Sequence, residues 1–306
     1  MPPMSDKFPD WPDARAARRF FDRAARTVDS ADVLAREVER RMQERLELVR
    51  IEPSRILDLG CGTGQGVQGL RDRYPQADVI GVDFSEAMLS VARQRRSAPA
   101  RWLDRLTGRG AAWLCSDFGR LPFAEGSIDL AWSNLALAWA VDPPRMFGEL
   151  HRTLKPGGLL MFSSYGPDTL RELRTAFAAA DDLPHTHRFV DMHDLGDMLV
   201  ESGFATPVMD METITLTYAD FASMAADLRC TGQVNASAGR RRGLTGRESH
   251  ERVVKAYENL RRDGSLPVTF EIVYGHAWRG EPRAAAGGPQ VMKFEKRADR
   301  ASKRDI

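Results

Sequence analysis

The run Ile56-Leu57-Asp58-Leu59-Gly60-Cys61-Gly62-Thr63-Gly64 limits what this chain can fold into more than any other stretch. An apolar segment carrying one acid makes a short strand. Glycines at alternate positions make a tight turn, and helical spacing resumes through Leu70. Glycine tolerates positive φ and lets a ligand approach the backbone closely. The helix start behind it offers unpaired N–H groups to an electronegative partner. The dinucleotide fingerprint GxGxxG is not met. Counted from Gly60 its third position is Gln65, and counted from Gly62 it is Val67.

The segments around this turn alternate in the same way. Strands are expected at 55–59, 78–82, 111–115, 128–133 and 159–164, with helices at 85–95 and 145–154 and a turn at Lys155-Pro156-Gly157-Gly158. Short apolar strands alternating with helices imply a mostly parallel sheet covered on both faces. Ahead of it, 13–50 reads as helical, with Leu34, Val38, Met42, Leu46 and Val49 on one face and a break near Asp29-Ser30. Behind it come helices at 169–180, 192–202, 220–229 and 249–262, strands at 208–218 and 268–278, and a glycine- and arginine-rich loop at 231–247. The expected organisation is an irregular 1–13, a single α/β domain over 14–279 with inserted lid segments at about 165–190 and 219–267, and a flexible tail at 280–306.

Composition removes several function classes. The 306 residues are 42% hydrophobic and 28% charged with net charge +1, so nothing favours nucleic acid or membrane globally. Cys61, Cys115 and Cys230 are widely spaced without a CxxC, which fits reduced thiols in the cytoplasm better than disulfides or zinc. No apolar run approaches the roughly 20 residues of a membrane span. The six histidines fit no metal spacing such as HExxH, so no metal is expected; His193 and His276 are the best pocket candidates.

Further acids fall at the ends of later strands. Asp83, in Gly81-Val82-Asp83-Phe84-Ser85, lies about 20 residues past the glycine turn, where a carboxylate accepts both hydroxyls of a ribose. Phe84 beside it suits an adenine ring. Asp117, followed by Phe118, ends the third strand and is placed to accept an adenine amino group; Asn134 ends the fourth, and Trp139 follows it. Any one of these acids has an ordinary alternative as a helix cap, but the row at adjacent strand ends matches a ligand site of an open α/β sheet.

The D-x-G-x-G-x-G order resembles the first motif of class I methyltransferases. That resemblance implies a Rossmann-like fold with a seven-stranded sheet, S-adenosylmethionine as cofactor, and a cofactor set of Asp58, Gly60, Gly62, Gly64, Asp83, Phe84, Asp117, Phe118 and Asn134. More selective strings resemble one family, the malonyl-acyl-carrier-protein O-methyltransferases of biotin synthesis. They are Phe20-Phe21-Asp22-Arg23-Ala24-Ala25, Gly166-Pro167-Asp168-Thr169-Leu170-Arg171-Glu172-Leu173-Arg174, Phe189-Val190-Asp191-Met192-His193-Asp194-Leu195-Gly196 and Tyr274-Gly275-His276-Ala277-Trp278. Val28 departs from that pattern, which has an aromatic residue near this position to close over the cofactor; residues 232–235 also look looser than in the family.

The resemblance implies methyl transfer to the free carboxylate of a malonyl thioester on an acidic acyl carrier protein. A carboxylate with a pKa of about 4 is already ionised at pH 7, so no general base is needed. It does need a cationic clamp, for which arginine's planar fork is suited; Arg171, Arg174 and Arg229 are the candidates. Arg240, Arg241, Arg242 and Arg247 are candidates for docking the carrier, against the plain alternative of a solvated loop. Nucleic acid is disfavoured there because no aromatics interleave. Three other readings stay open at this point: a methyltransferase for a quinone or small free acid, a protein-arginine hydroxylase resembling a mitochondrial complex I assembly factor, and a non-catalytic cofactor-binding module.

Overall fold

The computed structural model describes residues 11–95 and 111–280. Its strands are β1 (Arg55–Leu59), β2 (Asp78–Asp83), β3 (Ala112–Cys115), β4 (Ile128–Ser133), β5 (Leu154–Tyr165), β6 (Phe204–Tyr218) and β7 (Leu266–Arg279). They form one seven-stranded sheet in the order β3-β2-β1-β4-β5-β7-β6. β1 to β5 are parallel neighbours, and β7 runs antiparallel between β5 and β6. The strand order reverses at β1 and β4, which opens a crevice beyond their carboxyl ends.

Two apolar layers follow from the period of two along each strand. Ile56, Leu130, Leu159 and Met161 pack on one face, while Leu57, Leu59, Leu160 and Phe162 pack on the other. On the first face lies helix α3 (Val33–Leu46), which buries the stripe Leu34, Val38, Met42 and Leu46. On the second lies α6 (Pro143–Thr153), which buries Met146, Phe147 and Leu150. The remaining described helices are α1 (Ala14–Ala24), α2 (Val28–Ala31), α4 (Gln65–Arg73), α5 (Glu86–Gln94), α7 (Arg171–Phe177), α8 (Met192–Glu201), α9 (Phe221–Thr231) and α10 (Arg247–Glu258). Each fully buried leucine or phenylalanine in these layers contributes about 1.5–3 kcal/mol relative to exposure.

Several boundaries differ from the sequence reading for identifiable reasons. The helical stretch at 13–50 is three helices. Asp29-Ser30 are themselves helical, and the breaks sit at Thr27, whose hydroxyl donates to the Cys230 carbonyl at 2.8 Å, and at Asp32, which caps α3. Lys155–Gly158, expected as a turn ahead of a strand at 159–164, lies within the strand. The pairing jumps from Ile128–Leu154 to Leu130–Leu159, so the turn is absorbed as a bulge inside β5. β6 starts four residues earlier than 208, because the edge strand tolerates Pro207 inside a second bulge between Ala205 and Val208. At the N-terminus, Trp11–Asp13 are ordered, where irregular chain was expected up to residue 13. Trp11 is buried, Asp13 N–H donates to Ala236 O at 2.7 Å, and Ala238 N–H donates to Trp11 O at 2.8 Å. The rest of the expected irregular N-terminus and nearly all of the tail lie outside the described residues.

Gly275 sits mid-strand in β7, opposite Phe162 and Met209. A Cβ there would overlap the Phe162 ring and lie 2.9 Å from Met209 Sδ. Gly275→Val should therefore destabilise the fold by about 1–3 kcal/mol, read as a lower urea midpoint with an unchanged slope.

Candidate active site

The glycine turn is held by β2. Gly60 and Cys61 N–H groups donate to Val82 O at 2.7 and 3.0 Å. One residue on, Gly62 N–H donates to Asp83 Oδ2 at 2.9 Å, and Ser85 N–H donates to Asp83 Oδ1 at 2.7 Å. The bond that orders the loop thus goes to Asp83; the Asp58 carboxyl packs against Gly66 at the start of α4 instead. Gly60, Gly62 and Gly64 all have positive φ. A Cβ on Gly62 would meet nothing within 4 Å, so its bare backbone faces open space.

That space is a cavity of about 420 Å³ at the carboxyl ends of the strands. Its wall includes Asp58, Gly60, Gly62, Asp83, Phe84, Phe118 and Asn134 from the sequence-derived set. Phe84 and Phe118 meet edge to face at 5.9 Å, which frames a slot for a flat ring. Asn134 is fixed from both ends, donating to Ala35 O at 2.9 Å and accepting from the Ser163 hydroxyl at 2.8 Å. Gly64 stands just behind the wall, against the Trp113 ring. Asp117 does not join the row. It is exposed, and its carboxylate accepts the Gly119 N–H at 2.7 Å in its own turn.

The N-terminal helices supply a side of the cavity of which the sequence singled out only the neighbourhood of Val28. Val28, Asp32, Ala35, Arg36 and Glu39 line it. Glu39 is half-buried and accepts from Trp132 Nε1 at 3.1 Å and Gln43 Nε2 at 3.0 Å. The available signal was the row Ala35, Glu39 and Gln43, one residue beside the apolar stripe Leu34, Val38 and Met42. Burial pushes the Asp32 and Asp83 carboxyls up to about 6, and holds Glu39 above and Asp58 well above the ordinary carboxyl range.

A second cavity of about 290 Å³ abuts the first, with Trp139, Tyr165 and Gln233 lining both. Leu170, Leu173 and Phe177 from one inserted segment and Phe221, Met224 and Leu228 from the other give it an apolar body. Near the shared wall His187 Nε2 is buried with no hydrogen-bond partner among the described residues, and the Tyr165 hydroxyl is buried near Gln233. His187, whose pKa burial pushes down to about 3, is a pocket histidine. His193 is not, with a side chain 82% exposed, and His276 lies within β7 opposite Met161.

The candidate clamps separate. Arg171 pairs with Asp168 and Glu172 on the surface, and Arg174 donates to the carbonyls of Thr169 and Pro167 beside an outer groove. Arg229 alone of the three lines the second cavity. In the basic loop, Arg240 pairs with Asp13, Arg241 with Asp181 and Arg247 with Glu251.

Residues 57–162 match the family described as a methyltransferase domain. The chain is 50% identical over 283 residues to the malonyl-[acyl-carrier protein] O-methyltransferase of Gallionella capsiferriformans, spanning 92% of this chain and 96% of that one. It is also 50% identical over 298 residues to the enzyme of the same name from Laribacter hongkongensis, spanning 96% and 99%. The chain belongs to the malonyl-[acyl-carrier protein] O-methyltransferase family. A crystal structure of a putative methyltransferase from Bacillus halodurans shares the fold, with TM-score 0.55 and 17% identity over 79% of this chain and 99% of that one. The family member described here is a methyltransferase, and its methyl donor is S-adenosylmethionine. The open backbone at Gly62, a buried carboxylate with lone pairs to spare and an aromatic slot together fit that cofactor.

Two outcomes follow. Asp83→Ala should weaken S-adenosylmethionine binding by about 1.5–3 kcal/mol in calorimetry, through lost hydrogen bonds to a charged acceptor. Gly62→Val should weaken it more. The second concerns pH. With folded pKa values of about 6 against an ordinary 3.8, Asp32 and Asp83 hold protons that the unfolded chain has released. Their contribution to stability therefore falls as pH rises from about 4 to about 6. Buried His187 acts oppositely in the same window, so the effect is read by difference. Asp32→Asn, which keeps the helix cap, should raise Tm relative to wild type more at pH 7.5 than at pH 5.

Proposed function

We propose that this chain methylates the free carboxylate of malonyl-acyl carrier protein, with S-adenosylmethionine as donor. The observation that carries the reading is the pair of abutting cavities. One has the glycine turn and Asp83, the other is apolar with Arg229 in its lining, and Trp139, Tyr165 and Gln233 are common to both. Family membership over nearly the whole length of the relatives supports the substrate.

When bound, the cofactor supplies an electrophilic methyl group on a sulfonium. The chain's own residues position and seal. The second lone pairs of the Asp83 oxygens accept the ribose hydroxyls, Gly62 keeps the backbone low beneath the cofactor, and Phe84 and Phe118 hold the adenine. Asp58, Gly60, Gly64 and Asn134 shape the remaining wall. Asp117 is left as a loop residue by its exposed turn. Arg229 attracts the malonyl carboxylate, whose oxygen is ionised without help from a base. Holding two reactants in line at about 3 Å supplies roughly 7–11 kcal/mol of barrier reduction. The neutral ester product masks the charge, so that a chain-elongating system accepts it as an ordinary acyl group on the way to biotin.

The two inserted segments, about 165–190 and 219–267, serve as the substrate lid, since both supply walls of the second cavity. Three free cysteines fit a reducing compartment, which supports the cytoplasm as its location. Among the described residues no helix is long and apolar enough to cross a membrane.

Mass spectrometry should show one added methyl on malonyl carrier protein and none on acetyl carrier protein, which lacks the distal oxygen. The chemical step should stay flat from about pH 6 to 8, because no titrating base takes part. A bell-shaped profile centred near neutrality would refute the base-free step. Arg229→Lys keeps charge but loses the two-point fork, and should still lower kcat/KM.

A further inference from the structure

Sequence analysis placed the carrier-protein contact on Arg240, Arg241, Arg242 and Arg247, but the structure spends much of that charge internally. Arg240 has a side chain only 12% exposed, bonded to Asp13 and to the Ser237 carbonyl. Arg241 pairs with Asp181 at 2.8 Å and Arg247 with Glu251 at 2.9 Å. The first two ion pairs fasten the loop to the start of α1 and to residue 181, the Arg247 pair lies within α10, and Arg242 stays exposed.

Helix α1 presents the opposite picture. Arg15, Arg18, Arg19 and Arg23 on it, and Arg26 just beyond its end, are all exposed. Among the described residues Arg15, Arg19, Arg23 and Arg26 make no ion pair. At 3.6 residues per turn these four fall within about 80° of one another on the helix circumference. Neighbours on successive turns stand closer than the Debye length of about 8 Å, so their charges sum into one patch. The acid of the helix, Asp22, is turned inward and accepts from the Ser85 hydroxyl at 2.6 Å. The other side of the helix is apolar. Ala16 and Ala17 pack with Trp139 and Ala236, and Ala24 and Ala25 pack with Met88.

That inner contact fixes what the patch overlooks. Phe21 meets Trp139 edge to face at 4.8 Å, and Trp139 is part of the wall between the two cavities. A partner seated on the outer face is separated from that wall by one helix diameter, about 10 Å. A row of fully ionised, unpaired guanidinium groups selects an acidic protein surface, and its position selects one that brings a substrate to this wall.

We propose that the arginine face of α1, formed by Arg15, Arg19, Arg23 and Arg26, is the docking surface for the acidic carrier protein that presents the malonyl thioester. The assignment rests on the substrate reading above. It separates the role of the two basic elements: Arg240 holds the start of α1 in place through Asp13, and the α1 arginines meet the partner.

The test uses the full chain, malonylated carrier protein and a small malonyl thioester as parallel substrates. Arg19→Glu/Arg23→Glu should raise KM for the carrier by about tenfold or more, as expected for loss of electrostatic steering. It should leave kcat and both constants for the small thioester unchanged, and flatten the salt dependence of the carrier reaction. Arg241→Glu/Arg247→Glu should move the carrier KM by no more than about twofold, in line with charge already paired with Asp181 and Glu251. Equal losses on both substrates, an unchanged carrier KM in the α1 variant, or a loop variant that reproduces the α1 effect each overturn the docking face. If the double charge reversal lowers Tm, Arg19→Gln/Arg23→Gln carries the same expectation at smaller size. Wild-type protein that methylates the small thioester with no preference for the carrier overturns the substrate reading, and the docking face with it.

Discussion

The buried carboxylate of Asp83 receives backbone N–H groups from two directions, Gly62 in the turn after β1 and Ser85 ahead of α5. A carboxylate taken out of water is costly unless hydrogen bonds replace its hydration. Here the replacement comes from the two loops that must be held still if the crevice is to keep its shape. The same residue lines the cavity, so the group that fixes the turn also forms part of the wall beside it. Burial pushes its pKa up because desolvation exceeds what the backbone N–H groups return.

Around that point the architecture divides its labour by strand end. β1 gives the turn, β2 the acid and Phe84, β4 gives Asn134, and β5 ends in Tyr165 beside the second cavity. The N-terminal helices line one side of the crevice and bring Glu39 near Asp58, which also feels the Asp83 charge. Proton uptake relieves that repulsion in the free protein.

The inserted segments do a different kind of work. They contribute few residues to the cofactor cavity and most of the apolar body of the second. Their arginines are largely occupied. Arg174 ties back the chain that leads into α7, and Arg241 ties residues 181 and 241 together. Basic side chains in a segment rich in arginine thus act as internal fasteners, and the outward positive field moves to α1, where acids are turned away from the surface.

The sequence by itself determined the sheet, the glycine turn and most of the residues that line the cavity at the strand ends. Those features depend on local periodicity and on residue types that few other conformations tolerate, such as bare glycine backbone at Gly62 and an acid at the end of an apolar strand at Asp83. It also showed the family, because the strings around Pro167 and Gly275 are specific. Tertiary structure alone decided the rest. Asp117 and Asp83 look alike in sequence, yet one closes its own exposed turn and the other faces the cavity, since only the packing of β3 at the sheet edge distinguishes them. Glu39 and His187 became site residues through long-range packing onto Trp132 and Trp139, contacts with no local signature. The fates of Arg240, Arg241 and the α1 arginines turned on where acids arrive from distant parts of the chain, and charge pairing across 60 or 227 residues is invisible until the chain has folded.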